Sequence, residues 1–273
     1  MKKLLTSVGV SAVLLSASSL QMVSAHDESG QHFNNECEVS LNYDVTVEPK
    51  KLTVSEVGKE QYRIEVNKLF VNGEQISLNK QQQQLVSQYA DEVSSQVPEV
   101  IELVNDAVAM ASTAVSMALT PLLGDATGSK IDEMMDGLQD RIQEVAYQNG
   151  DKFYLGATES SLESAFGEEF EKEMEQLVQN SIGTMMMSLG SQMMSGDGDS
   201  FEAKMDAFSV KMDSIGEDIE LQMEDQAQDL EARGERLCEN FETLAVLEKK
   251  LQTQIPELAN YSLVATANKE LLE

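Results

Sequence analysis

The chain has 273 residues, a formal net charge of −29, 25% charged residues and 5% aromatic residues. That length allows one large domain or two small ones. So acidic a chain is repelled by nucleic acid and anionic lipid head groups, which excludes nucleic acid as a partner, and its simplest use of the charge is to solvate long exposed helix faces.

Lys2 and Lys3 precede an apolar stretch from Leu4 to Leu15, and Val23-Ser24-Ala25 ends in the small residues that signal peptidase accepts. The stretch is too short to span a bilayer, so no stable membrane insertion is expected once it is removed. The expectation is export with cleavage after Ala25, leaving His26 as the first residue. No cysteine stands at the cleavage point to carry a lipid, and the short two-lysine start points to the bacterial periplasm. Cleavage removes two lysines and no acid, which takes the charge from −29 to −31.

Residues 36–78 read as β structure. Val39, Leu41, Tyr43, Val45 and Val47 alternate with polar residues, as one half-buried strand requires. Pro49-Lys50-Lys51 is a turn, Leu52 and Val54 begin a second strand, and Tyr62, Ile64 and Val66 form a third. Leu69-Phe70-Val71 and Gln75-Ile76-Ser77-Leu78 flank Asn72-Gly73, a strong hairpin signal because both turn residues tolerate positive φ. Such a sheet alone buries too little to be stable.

From Asn79 onward the periodicity is helical. Asn79 with Gln82 forms a capping pair. Leu85, Tyr89, Val93, Val97, Val100, Val104, Ala107, Ala111 and Ala114 recur at three- and four-residue steps; Pro98 is expected to interrupt this run, and Pro121 with Gly124 to end it. Ser129 with Asp132 opens a second expected helix, broken at Asn149-Gly150-Asp151, after which Phe153-Tyr154-Leu155 reads as a strand returning to the sheet. Ser160 with Glu163 opens a third, running to about Met194. The last helix carries Phe201, Met205, Phe208, Met212, Ile215 and Ile219 at four-three spacing, a stutter near Met223 and Ala227, then Leu230, Leu237, Phe241, Leu244 and Leu251, until Pro256 ends it. That pattern belongs to an extended helix lying along a partner helix. Gly216 and Gly234 mark expected bends, and the tail 257–273 is weakly patterned, with little to order it.

Cys37 and Cys238 are the only cysteines. In an oxidising compartment two cysteines usually form a disulfide; the loop closed here, roughly 200 residues, gives the bridge at most about 5 kcal/mol in the chain-entropy account. Two free redox thiols are the alternative, without a C-x-x-C to support it, and two thiolates alone make a poor zinc site.

Candidates for chemistry are few. Met185, Met186, Met187, Met193 and Met194 lie in a charge-free stretch, Ile182 to Ser195. Thioether clusters can hold Cu(I), but consecutive helical methionines diverge, and methionine more often fills a core or lines an adaptable binding surface. His26 at a new N-terminus could chelate Cu(II), with His32, Asp27 and Glu28 nearby, although chain ends are usually loose. Asp197-Gly198-Asp199-Ser200 starts like a calcium loop but has Glu202 where glycine is required, and reads as a helix-capping loop. Ser77-Leu78-Asn79-Lys80 matches S-x-x-K without its companion motifs. There is no G-x-S-x-G, no H-E-x-x-H and no glycine-rich phosphate loop. The uncharged segment Ala107 to Leu123 could lie against a membrane, yet it lacks basic flanks, and its small residues suit close helix packing better.

The block from Leu69 to Glu102, with F-V-N-G-E-Q-I-S-L-N leading into a Gln-rich helix start and then Val97-Pro98, resembles the YggN family of exported bacterial proteins. Glu36-Cys37-Glu38-Val39 and Leu237-Cys238-Glu239 followed by Leu244 resemble it too. The resemblance covers most of the chain beyond residue 25 and is looser in the middle. It implies a periplasmic location, one β-then-helical domain and a two-cysteine frame. The family is a domain of unknown function, so no activity, ligand or catalytic residue comes with it.

The expectation is therefore an α+β fold, predominantly helical: a small N-terminal antiparallel sheet, then an elongated bundle of long helices in a single domain over residues 26–256. The expected function is non-catalytic, exerted through helical surfaces that bind other proteins or self-associate, or a structural role in the envelope. No cofactor is expected. Periplasmic copper binding and an enzyme with an unrecognised site are the alternatives.

Overall fold

The computed structural model describes residues 39–266 apart from 124 and, between 177 and 200, only positions 179, 183 and 187. All described elements belong to the unit Cys37–Glu273. They comprise an antiparallel sheet followed by long helices, the expected fold class.

The sheet strands are β2 (Asp44–Glu48), β3 (Lys51–Glu56), β4 (Lys59–Glu65), β5 (Lys68–Val71), β6 (Glu74–Ile76), β7 (Ala146–Asn149) and β8 (Lys152–Leu155), in the order β6-β5-β4-β3-β2-β8-β7. Every neighbouring pair is antiparallel. The β5–β6 hairpin turns at Asn72-Gly73 with φ of 50° and 83°, as its sequence predicts. Strand alternation places Val45, Val47, Leu52, Val54, Tyr62, Ile64, Leu69 and Val71 on one buried face.

Two β expectations are corrected, and one strand was not expected. The alternation from Val39 to Val47 is not one strand but two: β1 (Val39–Leu41) leaves the sheet and pairs with β9 (Val264–Thr266), so residues 42–43 bend between partners. Val66 is a turn residue at φ 48° and 62% exposed, not the end of the third strand. The polar strand β7 has no alternation to announce it, and forms because β8 supplies its ladder.

Helix α1 (Lys80–Leu123) begins where expected: Asn79 Oδ1 accepts from the Gln82 amide and Gln82 Oε1 from the Asn79 amide, both at 2.9 Å. It runs through Pro98, where an interruption is expected. A proline inside a helix loses one backbone bond, but this turn is held by Val97 and Ile101, both in the core. Helix α2 (Asp125–Val145) starts before the expected Ser129. Helix α3 (Glu159–Phe166) is capped by Thr158, not Ser160, and stops at Gly167. The expected long third helix breaks here, where Gly167 leaves the helical region at ψ −157°, and a Cβ at this position would stand 2.5 Å from the Glu163 carbonyl oxygen. Helical turns resume in α4, described over 168–176. Helix α5 (Phe201–Gln254) runs through Gly216 and Gly234, and Pro256 begins a short 3-10 turn, Pro256–Leu258.

The core joins the buried sheet face to α1 through Leu85, Val86, Tyr89, Val93, Val97 and Ile101, and to α5 through Leu237, Phe241, Leu244, Ala245 and Leu251. The two helices run antiparallel. Gln82 donates to the Gln254 carbonyl, Tyr89 to Glu248, Asn240 to Gln96, and Arg233 to Asp106. The first three of these α1 positions, Gln82, Tyr89 and Gln96, recur at heptad spacing, as in a coiled-coil seam. The chain after Glu257, expected to be weakly ordered, instead packs Leu258, Leu263 and Val264 into the core; residues 267–273 lie outside the described residues.

Candidate interaction surface

Two buried carboxylates hold the frame and present no open face. Asp44, on β2, accepts from the Ala157 and Thr158 amides at 3.0 Å, and from the Thr158 and Ser161 hydroxyls at 2.9 and 2.8 Å. It thereby ties the sheet to the start of α3. Glu248, on α5, is 2% exposed. Its Oε1 accepts from the Leu263 amide (2.7 Å) and the Tyr89 hydroxyl (2.8 Å); its Oε2 accepts from the Val264 amide (3.1 Å) and the Ser262 hydroxyl (3.2 Å). The Tyr89 and Tyr62 hydroxyls meet at 2.9 Å. Burial pushes the Glu248 carboxyl above its ordinary value, against the lowering effect of those four donors. Burial also raises both phenols well above theirs. This network joins sheet, α1, α5 and the C-terminal strap, a structural task.

Sequence reasoning singled out neither acid. The signal for Glu248 was present: it occupies the seam position between Leu244 and Leu251, where a charge has no place unless several donors meet it. Asp44 had a weaker one, an acid beside an apolar alternation.

The remaining candidate is a surface. From Ala203 to Arg236, α5 has no residue in the buried class among its described positions. Phe208, Ile215, Ile219, Met223 and Leu230 keep the seam spacing and are half-buried, while Met205 and Met212 are exposed. Val210 is 67% exposed and Leu221 74%, off the seam. In α1, residues 102–119 contain none in the buried class either. Val115 and Leu119 meet Met134, Met135 and Leu138 of α2 in a small separate cluster. Within Lys80–Leu119 lies an 18-residue window long and apolar enough to cross a membrane by length and composition, of which 6% is buried. Arg233 stands where the two helices separate from the core, paired with Asp106 at 2.5 Å and close to Glu102 and Asp229.

Of the sequence candidates, His26, Cys37, Met185, Met186, Met193 and Met194 lie outside the described residues, as does the Asp197–Ser200 loop. Met187 is helical and 75% exposed. Cys238 lies half-buried on α5, one residue past the buried Leu237. Ser77 precedes the cap of α1, and Asn79 and Lys80 belong to the helix start, a local structural setting for the S-x-x-K match. Among the described residues no group of three or more His, Cys, Asp or Glu is placed to hold a metal.

No curated protein and no solved structure matches the chain. The family described as a protein of unknown function, DUF2884, matches residues 37–264, from the first cysteine to the first residue of β9. The chain belongs to that family, also known as YggN.

Proposed function

We propose that this is a non-catalytic protein of the bacterial envelope, exported to the periplasm, that works by offering helical surfaces to other proteins. The observation that carries the reading is the first two-thirds of α5: apolar residues at seam spacing, half-buried or exposed, on a helix whose last third is packed tightly. Apolar surface kept open and bordered by acids suits contact with protein partners, methionine adding adaptability. The charge disfavours an anionic membrane as the partner. Self-association through the same seam is an alternative outcome of the test below.

The reading includes a Cys37–Cys238 bridge. Support comes from the absence of a free cysteine among the described residues and from β1 resting against α5. Leu41 is in register with Val264, whose amide is bound by Glu248. From Glu248 back to Cys238 is about 15 Å of helix. Cys37 lies four positions before Leu41, and four residues of chain reach at most about 14 Å. That length is comparable to the helical separation of Cys238 from Glu248.

The test uses the mature protein in a client-aggregation assay and in pull-down from periplasmic extract, with sedimentation to report self-association. Suppressed aggregation or a reproducible partner, lost in an Ile215→Ser, Ile219→Ser double variant that keeps its melting temperature, is expected. Neither effect in the wild type, or an undiminished effect in the variant, would overturn the reading.

A further inference from the structure

One groove has a chemistry unlike the rest of this acidic surface. It lies between α1, α2 and the β7–β8 hairpin, with a volume of about 590 Å³, within the usual range for small-molecule sites. Four carboxamides line it: Asn105 from α1, Gln139 and Gln143 from α2, and Gln148 from β7. Phe153 and Tyr147 add two half-buried aromatic rings, and the buried Ile101 stands behind them. Glu102 is the only charged side chain of the lining, in a chain with 25% charged residues.

That donor set narrows the ligand. Without Lys or Arg, the groove lacks the charge-assisted donors that phosphate or carboxylate ligands require. With four carboxamides it is poorly matched to a purely apolar ligand, which would leave their hydrogen bonds unmade. Each carboxamide carries two donors and two acceptor lone pairs, and few of these are used internally. Gln139 donates to Asn105 at 3.3 Å and Gln148 donates to the Gly150 carbonyl at 3.1 Å, while Gln143 has no hydrogen bond among the described residues. Sugar hydroxyls both donate and accept, and the C–H faces of sugar rings pack against aromatic side chains. Amides beside half-buried rings, in a trough with one charged side chain, match both properties. We infer that this groove binds a short neutral saccharide, with Gln143, Gln139 and Asn105 facing the hydroxyls and Phe153 and Tyr147 the ring faces. The inference is independent of the α5 seam.

Calorimetric titration of the mature protein tests it, with maltotriose and tri-N-acetylchitotriose as neutral saccharide probes and an uncharged trialanine amide as the peptide probe. Saturable binding of at least one saccharide is expected, weakened about tenfold or more in Gln143→Ala with Gln139→Ala at unchanged melting temperature, as loss of one or two hydrogen bonds implies. Tyr147→Ala, on the edge strand, is expected to weaken it as well. No saturable binding of either saccharide, tighter binding of the peptide amide, or saccharide binding unchanged in the glutamine variant would each overturn the proposal.

Discussion

Helices α1 and α5 each have two contrasting ends. Near the sheet, α1 buries Leu85, Tyr89, Val93, Val97 and Ile101, and α5 buries Leu237, Phe241, Leu244 and Leu251. Beyond Glu102 and Arg233 the same spacing continues, yet no described residue of either helix is fully buried. Apolar periodicity thus records which face of a helix can be covered, not whether it is. What differs is the neighbour: at one end the sheet closes the layer, and at the other, among the described residues, the helices meet one another and α2.

The contrast should break first at Glu248. Glu248→Ala strands two backbone amides and the Tyr89 hydroxyl in the core, and is expected to lower stability by about 3–5 kcal/mol. In a protein of this size that is a fall in melting temperature of roughly 6–20 °C; a fall under a few degrees would mean that the network is not what closes this end. Next comes a matched pair. Leu244→Ala should cost about 2–5 kcal/mol, and Ile215→Ala, on the same helix, less than about 1 kcal/mol, because only the first opens a cavity in a closed core. Equal costs in denaturant melts would erase the distinction between the two ends. The proposed bridge is expected to add about 2–4 kcal/mol at the closed end, so reduction should lower the melting temperature, and an unchanged melt would remove the bridge from the account.

The smallest effect is the pH dependence of Glu248. Its folded carboxyl lies above its ordinary value of 4.5 because burial disfavours the charge. Folding therefore takes up proton at this site, and its contribution to stability is fullest below pH 4.5 and fades as pH rises through the folded value. The stability difference between wild type and Glu248→Gln should shift against the wild type over that rise. A difference that is flat, or that moves the other way, would contradict the direction of the shift.

Local signals were legible where local chemistry suffices. Asn72-Gly73 needs positive φ at two adjacent positions, and Asn79 with Gln82 satisfies backbone groups three residues apart; both sequences state their structure. Signals set by distant partners were not. Pro98 normally argues against a helix interior, but the core packing of Val97 and Ile101 outweighs it. β7 is polar and short, and exists because β8 lies beside it. β9 depends on a strand more than 200 residues earlier. Of the two surfaces proposed for binding, the α5 seam was readable as a stripe, its exposure was not. The carboxamide groove was invisible, because Asn105, Gln139 and Gln148 come from three elements with no shared spacing.

The pairing of β1 with β9 also has a consequence in time. Leu41 and Val264 sit opposite one another, near the two ends of the described residues. A contact so remote in sequence carries a late loop-closure cost and slows completion of the fold. A chain emerging from its N-terminus can build the five-strand meander β2 to β6 early, but β1 has no strand to pair with until residue 264 arrives. A truncation that removes β9 should therefore leave β1 without its partner strand: residues far along the chain decide whether an early strand settles.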